Sequence, residues 1–573
     1  MKITKKIISL SMVAALAIPC FSGCGPNNEI IDNNGVKVDP NTTTMLDVVV
    51  YDGGLGTDWA QNAANKFREK YINYSFETGK TGVYVNIIPQ KEQIEEGNLL
   101  GGLQAGTQTS DIYYTSMAAL DKLNDAGYAM DITDAMFEDC YDENGELVAE
   151  ETTGTKSIAD KLNPIYLDDW KVTVANKANR YVALPYESNL YGFVYNYDLF
   201  KSNNLLHYSG LDGTPKTTDE FVQLLDELQT IGYKGFTHQP HDAPYYTHNF
   251  NYTFLRQYEG KEAAQLNYTF DGEYKFEGDS QVTKITAENA YLLAKQSGKK
   301  ALFEFLDNIN QEAYCDSGIS NPTVHTYTQA QANFVMSESR YAKEKIAMLY
   351  EGDYWEKEAR TSFDSLEAYD STKGYGKIEY RVMPVPQADG GKNDEGYMFS
   401  LGGNTLMFAN AKSESKREAI EKWLQYTLSD SALNDYITYT GMTPAFDFEL
   451  TETTKNKITP YANYCYKIKT QNYVDEKTNQ KVEITLDNLT IRDENRHVFY
   501  NNYMSMTGYG KAITVSAAGK QGTQAIWKFF YNNPDVTAET VWTNYVNAYT
   551  SESAISQWNT KYNQYKLDFN ITE

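Results

Sequence analysis

The stretch Leu46–Tyr71, LDVVVYDGGLGTDWAQNAANKFREKY, decides the fold class. Leu46 to Tyr51 is apolar and rich in β-branched residues, the composition of a strand buried in a parallel sheet. Gly53-Gly54-Leu55-Gly56 turns the chain, and Thr57 or Asp58 stands where a helix cap is needed. Behind it Trp59, Ala63, Phe67 and Tyr71 recur every fourth residue and mark one face of a helix. A strand over Val83–Ile88, a helix around Lys91–Leu103 and a strand through Asp111-Ile112-Tyr113-Tyr114 continue the pattern. Strands alternating with helices predict an α/β lobe with a mainly parallel sheet. Ligands of such sheets lie beyond the carboxyl ends of the strands. That brings Tyr51, Asp52 and Trp59, and Tyr113 to Ser116, towards one crevice.

Further along, Leu184-Pro185-Tyr186-Glu187 leads into a strand over Leu190–Tyr195. Thr217 and Glu220 form a capping box before a helix whose apolar face is Phe221, Leu224, Leu225 and Leu228. Ser415 and Glu418 read as a second box, before a helix carrying Ile420, Trp423, Leu424 and Thr427. After Asn533, Val541, Tyr545 and Tyr549 fall on one helical face. A chain of 573 residues has room for about four domains. No low-complexity linker follows residue 44 and no internal repeat is visible, so one or two large lobes fit better.

The N-terminus carries an address. Lys2, Lys5 and Lys6 precede an apolar run from Ile7 to Ile18. That run is too short for the roughly 20 residues of a membrane-spanning helix and reads as a signal peptide over 1–23. Phe21-Ser22-Gly23-Cys24 resembles a lipobox, in which the cysteine is acylated and becomes the new N-terminus. Residues 24–44 then form the lipidated end and a polar tether. Removing 1–23 takes away three lysines and no acid, moving the formal charge from −26 to −29. So acidic a body argues against nucleic acid or an anionic lipid face as partner, since both call for a basic patch.

Familiar chemical motifs fail one by one. Thr78-Gly79-Lys80-Thr81 lacks the glycine a phosphate loop needs, because Tyr74 stands there. The turn at Gly53–Gly56 lacks the third glycine of a dinucleotide fingerprint, and no nucleophile elbow occurs. His238, His241 and His248 gather near Asp242 without metal-ligand spacing. Asp142, Asn144 and Gly145 resemble part of a calcium loop, but Cys140 holds its first position. Cys140, Cys315 and Cys465 fit no zinc site and read as buried thiols. No metal or cofactor is expected.

Aromatics and carboxylates remain. Tyrosine occurs 47 times in 573 residues, and tyrosine and tryptophan offer sugar rings a flat face with a polar tip. Tyr350-Glu351-Gly352-Asp353-Tyr354-Trp355 concentrates both kinds of group. Glu351 and Asp353 suit either an acid–base pair of a glycoside hydrolase or hydroxyl-binding groups beside a stacking platform.

In order along residues 45–573 the chain resembles the extracellular solute-binding proteins of carbohydrate ABC importers, relatives of maltose-binding protein. The resemblance lies in VVVYDGGLGTDW, SDIYYTSMAALDKLNDAGYAMDITD, YVALPYESNLYGFVYNYDLFKSN, PKTTDEFVQLLDEL, AMLYEGDYW, LGGNTLMFAN, KREAIEKWLQYTLSD and YTGMTPAF. It implies a periplasmic-binding-protein-like fold of two discontinuous α/β lobes with a hinge and an interlobe ligand cleft. Lobe 1 would comprise 45–185 plus 404–445, and lobe 2 186–403 plus 446–573. Insertions fall around 140–170, 260–300 and 470–500. Ligand-binding positions carried over by the matching pieces are Tyr51, Asp52, Trp59, Tyr114, Ser116, Tyr186, Glu187, Tyr246, Asn249, Glu351, Asp353, Tyr354, Trp355, Gly403 and Asn404. Of Tyr350 to Trp355, Asp353, Tyr354 and Trp355 are the stronger candidates to face the ligand. The implied protein is a monomer outside the cytoplasm, lipid-anchored at the cell membrane. It is no enzyme: it closes on a carbohydrate and delivers it to ABC permease subunits. The same scaffold with a non-sugar solute, or a lipid-anchored glycosidase, are the competing readings.

Overall fold

A computed structural model describes residues 30–31, 37–91, 94, 96–116, 120–167, 171–172, 180–239, 244–321, 324–392, 396–402, 405–488, 497–499, 514–515 and 524–571. The signal segment and Cys24 lie outside the described residues. No helix among those described is long and apolar enough to cross a membrane.

Among the described residues, eleven strands build two mixed sheets. In chain order they are β1 (Thr44–Tyr51), β2 (Val83–Gln90), β3 (Ile112–Ser116), β4 (Ala183–Pro185), β5 (Asn189–Asn196), β6 (Lys234–Thr237), β7 (Ile346–Gly352), β8 (Tyr380–Met383), β9 (Tyr397–Gly402), β10 (Thr405–Ala409) and β11 (Ile484–Asn488). The first sheet has the order β2-β1-β3-β10-β4. The second has the order β6-β7-β5-β9-β11, with β8 also on β5.

The direction of each strand follows from how the chain crosses between the sheets. β1 is parallel to β2 and β3, as the alternation of strands and helices predicts. β10 is antiparallel to β3 and β4, so the sheet is mixed rather than mainly parallel. The reason is that β10 enters from the crossing after Gly402 and runs away from it, whereas β1 to β4 run towards it. β5 likewise starts at a crossing and runs antiparallel to β7, β8 and β9. The ends of β1, β3 and β4 therefore point to the crossings from one side, and those of β7, β9 and β11 from the other.

Val48, Val49 and Val50 are buried, as their branched side chains favour. The helix Asp58–Lys70 turns Trp59, Ala60, Ala63, Ala64 and Phe67 inward, though the Thr57 side chain makes no capping bond. The box at Thr217 forms: its Oγ1 accepts from Glu220 N at 3.2 Å and Glu220 Oε2 accepts from Thr217 N at 3.4 Å. The second expected box does not form. A 3-10 segment, Ala411–Lys416, runs directly into the helix Arg417–Thr427, so Ser415 sits inside helical backbone. Asn410 caps the segment instead, accepting from Lys412 N at 3.0 Å. The late helix Ala538–Thr550 buries Val541 and Tyr545.

The expected insertions are packed into the body. Tyr141, Ile158, Leu162 and Tyr166 join the first core. Tyr252, Leu266, Phe270 and Tyr274 form a separate small core with Phe499, Trp558 and Tyr565. The 473–481 region is held by Arg381, whose Nη2 lies 2.6 Å from Glu476 Oε1 and whose Nη1 lies 3.1 Å from the buried Asp212 Oδ2.

Candidate ligand cleft

Tyr186–Ser188 passes between the sheets, connecting β4 to β5, and 443–446 runs beside it. β9 of the second sheet ends at Gly402 and β10 of the first begins at Thr405, the junction lying outside the described residues. Glu187 bridges Pro444, and Ala445 N donates to Tyr186 O at 3.3 Å. Asp353 pins this region. Its backbone N donates to Leu190 O at 3.0 Å, and its Oδ1 accepts from Leu190 N at 3.0 Å. Its Oδ2 lies 2.6 Å from Lys469 Nζ, which also donates to Thr443 O at 3.0 Å. One buried ion pair thus ties the end of β7 to two crossings. Burial pushes the Asp353 carboxyl up and Lys469 draws it back down.

On the first sheet's side the crossings meet a cluster of rings. Trp59 stacks on Tyr186 with centroids 5.2 Å apart and meets Tyr114 and Tyr436 edge-on at 5.4 and 5.1 Å. Tyr186 also contacts Tyr114 and Tyr436, at 5.0 and 5.1 Å. Three residues expected in the site, Trp59, Tyr114 and Tyr186, are therefore brought together, but all three are buried, Tyr114 and Tyr186 almost fully, with their rings against one another and Tyr436. Tyr436, in the helix Asp430–Thr440, was not foreseen. Beside them Tyr51 and Asp52 are half-buried. Asp52 Oδ1 accepts from Gly56 N at 3.0 Å and so shapes the turn.

On the second sheet's side the carboxylates gather around one amide. Gln331 Nε2 donates to Glu358 Oε2 at 2.8 Å and lies 3.4 Å from Glu351 Oε1. Glu351 is buried; Glu358 and Glu187 are half-buried. Burial raises the Glu358 carboxyl to about 7, the Gln331 hydrogen bond opposes this, and the nearby Glu187 adds to it. Gln331 and Glu358 escaped the sequence reading because nothing local marks them; two separate helices, Tyr327–Met336 and Trp355–Glu358, bring them together. Gly54 of the first loop, at φ +80°, lies over Glu358: a Cβ there would stand 2.8 Å from Glu358 Cγ.

Other expected positions are placed differently. Trp355 is fully buried, packed among Phe334, Phe363, Tyr380 and Tyr461 with centroids 5.1–5.7 Å away, so no face is left for a sugar. Its apolar surface is worth more in the core than at a wet site. Asp353 spends its oxygens on Leu190 and Lys469, as described. Tyr354 is half-buried beside Tyr191, at 6.2 Å. Asn249 is buried in the helix Pro244–Glu259, and its backbone carbonyl accepts from Thr253 Oγ1 at 2.6 Å. Ser116 ends β3 opposite Thr405. The side chains of Ser116, Tyr246 and His248 lie outside the described residues, as do Gly403, Asn404, His241 and Asp242.

Among the described residues no group of three or more His, Cys, Asp or Glu side chains could hold a metal ion. His238 is buried, its Nδ1 3.0 Å from Gln239 O, and burial lowers it to about 4. The calcium-like turn closes on itself, with Asp142 Oδ1 accepting from Asn144 N and Glu146 N at 2.9 and 3.0 Å. The cation that its oxygens meet is an ammonium: Lys161 Nζ lies 3.3 Å from Gly145 O and 2.6 Å from Asp430 Oδ1. Cys140, Cys315 and Cys465 are buried free thiols.

Comparison with solved structures finds the same architecture. A probable secreted solute-binding lipoprotein from Streptomyces coelicolor superposes with a TM-score of 0.53 at 13% identity, covering 88% of this chain and 98% of its own. A protein of xylan utilization by Caldanaerobius polysaccharolyticus gives 0.52 at 13% identity, covering 88% and 99%. A chitin oligosaccharide binding protein gives 0.51 at 14%, covering 87% and 99%. Likeness at such identities establishes the fold, that of the periplasmic-binding-protein-like solute binders. No curated protein matches the chain. The sequence profile described as bacterial extracellular solute-binding protein matches residues 63–457, well over half of the chain. This protein belongs to that family of bacterial extracellular solute-binding proteins, which bind rather than catalyse.

Proposed function

We propose that this chain is a lipoprotein anchored through Cys24 outside the cytoplasm, which captures an oligosaccharide between two lobes and delivers it to an ABC permease. Lobe 1 is taken as 45–185 plus 404–445 and lobe 2 as 186–403 plus 446–573. Ligand contacts are assigned to Tyr51, Asp52, Trp59, Tyr114 and Ser116 from lobe 1 and to Tyr186 and Glu187 at the hinge. Tyr246, Asn249, Glu351 and Tyr354 serve from lobe 2, and Gly403 and Asn404 from the return crossing. Asp353 and Trp355 support this set from behind.

The reading is carried by the convergence of strand ends from both sheets on the crossings. There Tyr51, Asp52, Glu187 and Tyr354 stay half-buried beside the buried Trp59–Tyr114–Tyr186 rings and the buried contact of Gln331 with Glu351. Aromatic faces suit the C–H faces of sugars, and carboxylates accept from hydroxyls. Solved structures of similar fold include a chitin oligosaccharide binding protein and one from xylan utilization, which supports a carbohydrate over other solutes. A ligand touching both lobes stabilises the closed arrangement through contacts that the open one lacks.

A panel of neutral oligosaccharides, including xylo-, chito- and malto-oligosaccharides, tests this by thermal melting and calorimetry. A ligand of the folded state raises the melting temperature, by about 2.7 kcal/mol of stabilisation at a hundredfold excess over Kd. No shift and no heat across the panel, with binding of a peptide or nucleoside instead, overturns the carbohydrate assignment. Cys24→Ser is expected to move the protein from the membrane to the soluble fraction.

A further inference from the structure

The contact between Gly54 and Glu358 joins two sheets. Gly54 follows β1 of the first, and Glu358 lies in the helix Trp355–Glu358 that follows β7 of the second. Gly54 has the positive φ that glycine tolerates, and its Cα lies so close to Glu358 that a Cβ would stand 2.8 Å from Cγ and 3.2 Å from Oε1. Next to this contact Asp58, the first residue of the helix after the first sheet's loop, interacts electrostatically with Lys357. The seam is therefore a loop of one lobe lying on a carboxylate of the other.

The groups around Glu358 are almost all neutral or acidic. The helix Tyr327–Met336 supplies the Gln331 amide, at 2.8 Å. β7 supplies Glu351, which lies at the same amide, and the first crossing supplies Glu187. The only cation beside it on its own helix is Lys357, whose interaction is with Asp58 and Arg360. The first loop adds backbone at Gly54 and no positive charge. With the loop down, Glu358 is half-buried and gains no counter-charge among these groups; when the loop lifts, more of the carboxyl meets water.

We propose that Glu358 couples closure of the two lobes to the pH of the medium, the closed state taking up a proton at this carboxyl. This rests on the two-lobe reading above and adds to it a residue and a regulation that the reading does not contain. The sign follows from the surroundings. Closed, the carboxyl is pushed by burial and by Glu187 to about 7; open and hydrated, it returns towards the ordinary 4.5. The closed fraction then falls as pH rises from about 4.5 to about 7, by up to about tenfold per unit, and is level above that. A binding protein built this way grips more firmly in mildly acidic surroundings and releases more readily in neutral ones.

Small-angle X-ray scattering of the full ligand-free chain between pH 4.5 and 8.5 tests the proposal without a known solute. The expected result is a radius of gyration that grows with pH up to about 7 and is then constant. Glu358→Gln is expected to stay compact across the range. Glu356→Gln is the control. Glu356 titrates near the same pH but lies buried within one lobe, accepting from Thr459 Oγ1 at 2.5 Å, so its surroundings do not change on closure and the wild-type profile is expected. A radius independent of pH in the wild type, or a Glu358→Gln profile equal to the wild type, overturns the proposal. Either result leaves the oligosaccharide assignment standing, just as a failed glycan panel leaves this one to be read on its own.

Discussion

Lys469 Nζ lies 2.6 Å from Asp353 Oδ2 with both side chains buried, and the pair holds together the end of β7 and two crossings. Removing one partner strands the other charge in a place without water, at a cost of about 3–5 kcal/mol. Lys469→Met is expected to lower the urea midpoint accordingly. Adding Asp353→Asn to it should recover much of the loss, since no buried charge is then left unpaired and only the hydrogen bond to Thr443 O stays broken. Equilibrium unfolding of the three proteins measures this; a single variant as stable as the wild type would show that the pin holds nothing.

Glu351→Gln keeps the shape of the side chain and its contact with Gln331 while removing the charge that a sugar hydroxyl would meet. A hydrogen bond to a charged group contributes about 1.5–3 kcal/mol, so affinity for the oligosaccharide that binds best should fall by roughly 10- to 150-fold. The melting temperature without ligand is expected to change little. Calorimetry reads the affinity, and chromatography of the same mixtures is expected to find the glycan uncut by either protein.

How much of this was legible in the sequence depends on the range of the signal. The strand Thr44–Tyr51, the helix Asp58–Lys70 and the capping box at Thr217 were readable because each is written in neighbouring residues. The direction of β10 was not, since it is set by a crossing that returns some 290 residues after β3. Tyr350–Trp355 shows the limit most clearly. Its composition marks it as special, but composition cannot tell a ring that faces a sugar from Trp355, which faces four other rings. Nor can it tell a free carboxylate from Asp353, whose partner Lys469 lies 116 residues further on.

Gly192 sits where β8 and β9 meet along the same edge of β5, with Met383 pairing Phe193 and Ser400 pairing Tyr191. A Cβ at this position would stand 2.4 Å from Met383 O, a backbone atom that cannot rotate away. Gly192→Ala is therefore expected to destabilise by about 1–3 kcal/mol, as overpacked interiors do, although alanine normally favours a strand over glycine. Denaturant unfolding checks it, and an unchanged or raised midpoint would mean that the two strands can part there freely.

Glu356 gives a pH dependence with a sign fixed by its surroundings. It is buried, and burial raises its carboxyl from 4.5 to about 7 against the opposing pull of the Thr459 hydrogen bond and the Arg360 charge. A carboxyl raised on folding favours the folded state fully only below its unfolded value, and that contribution is lost as pH rises from about 4.5 through about 7. The size is about 3 kcal/mol for a shift of this order. Glu356→Gln has no proton to lose and can still accept from Thr459. It should match the wild type in melting temperature near pH 4 and exceed it above pH 7, with a flatter profile between. Melting curves at half-unit intervals decide the matter. Parallel profiles for the two proteins would mean that Glu356 keeps its ordinary acidity in the fold.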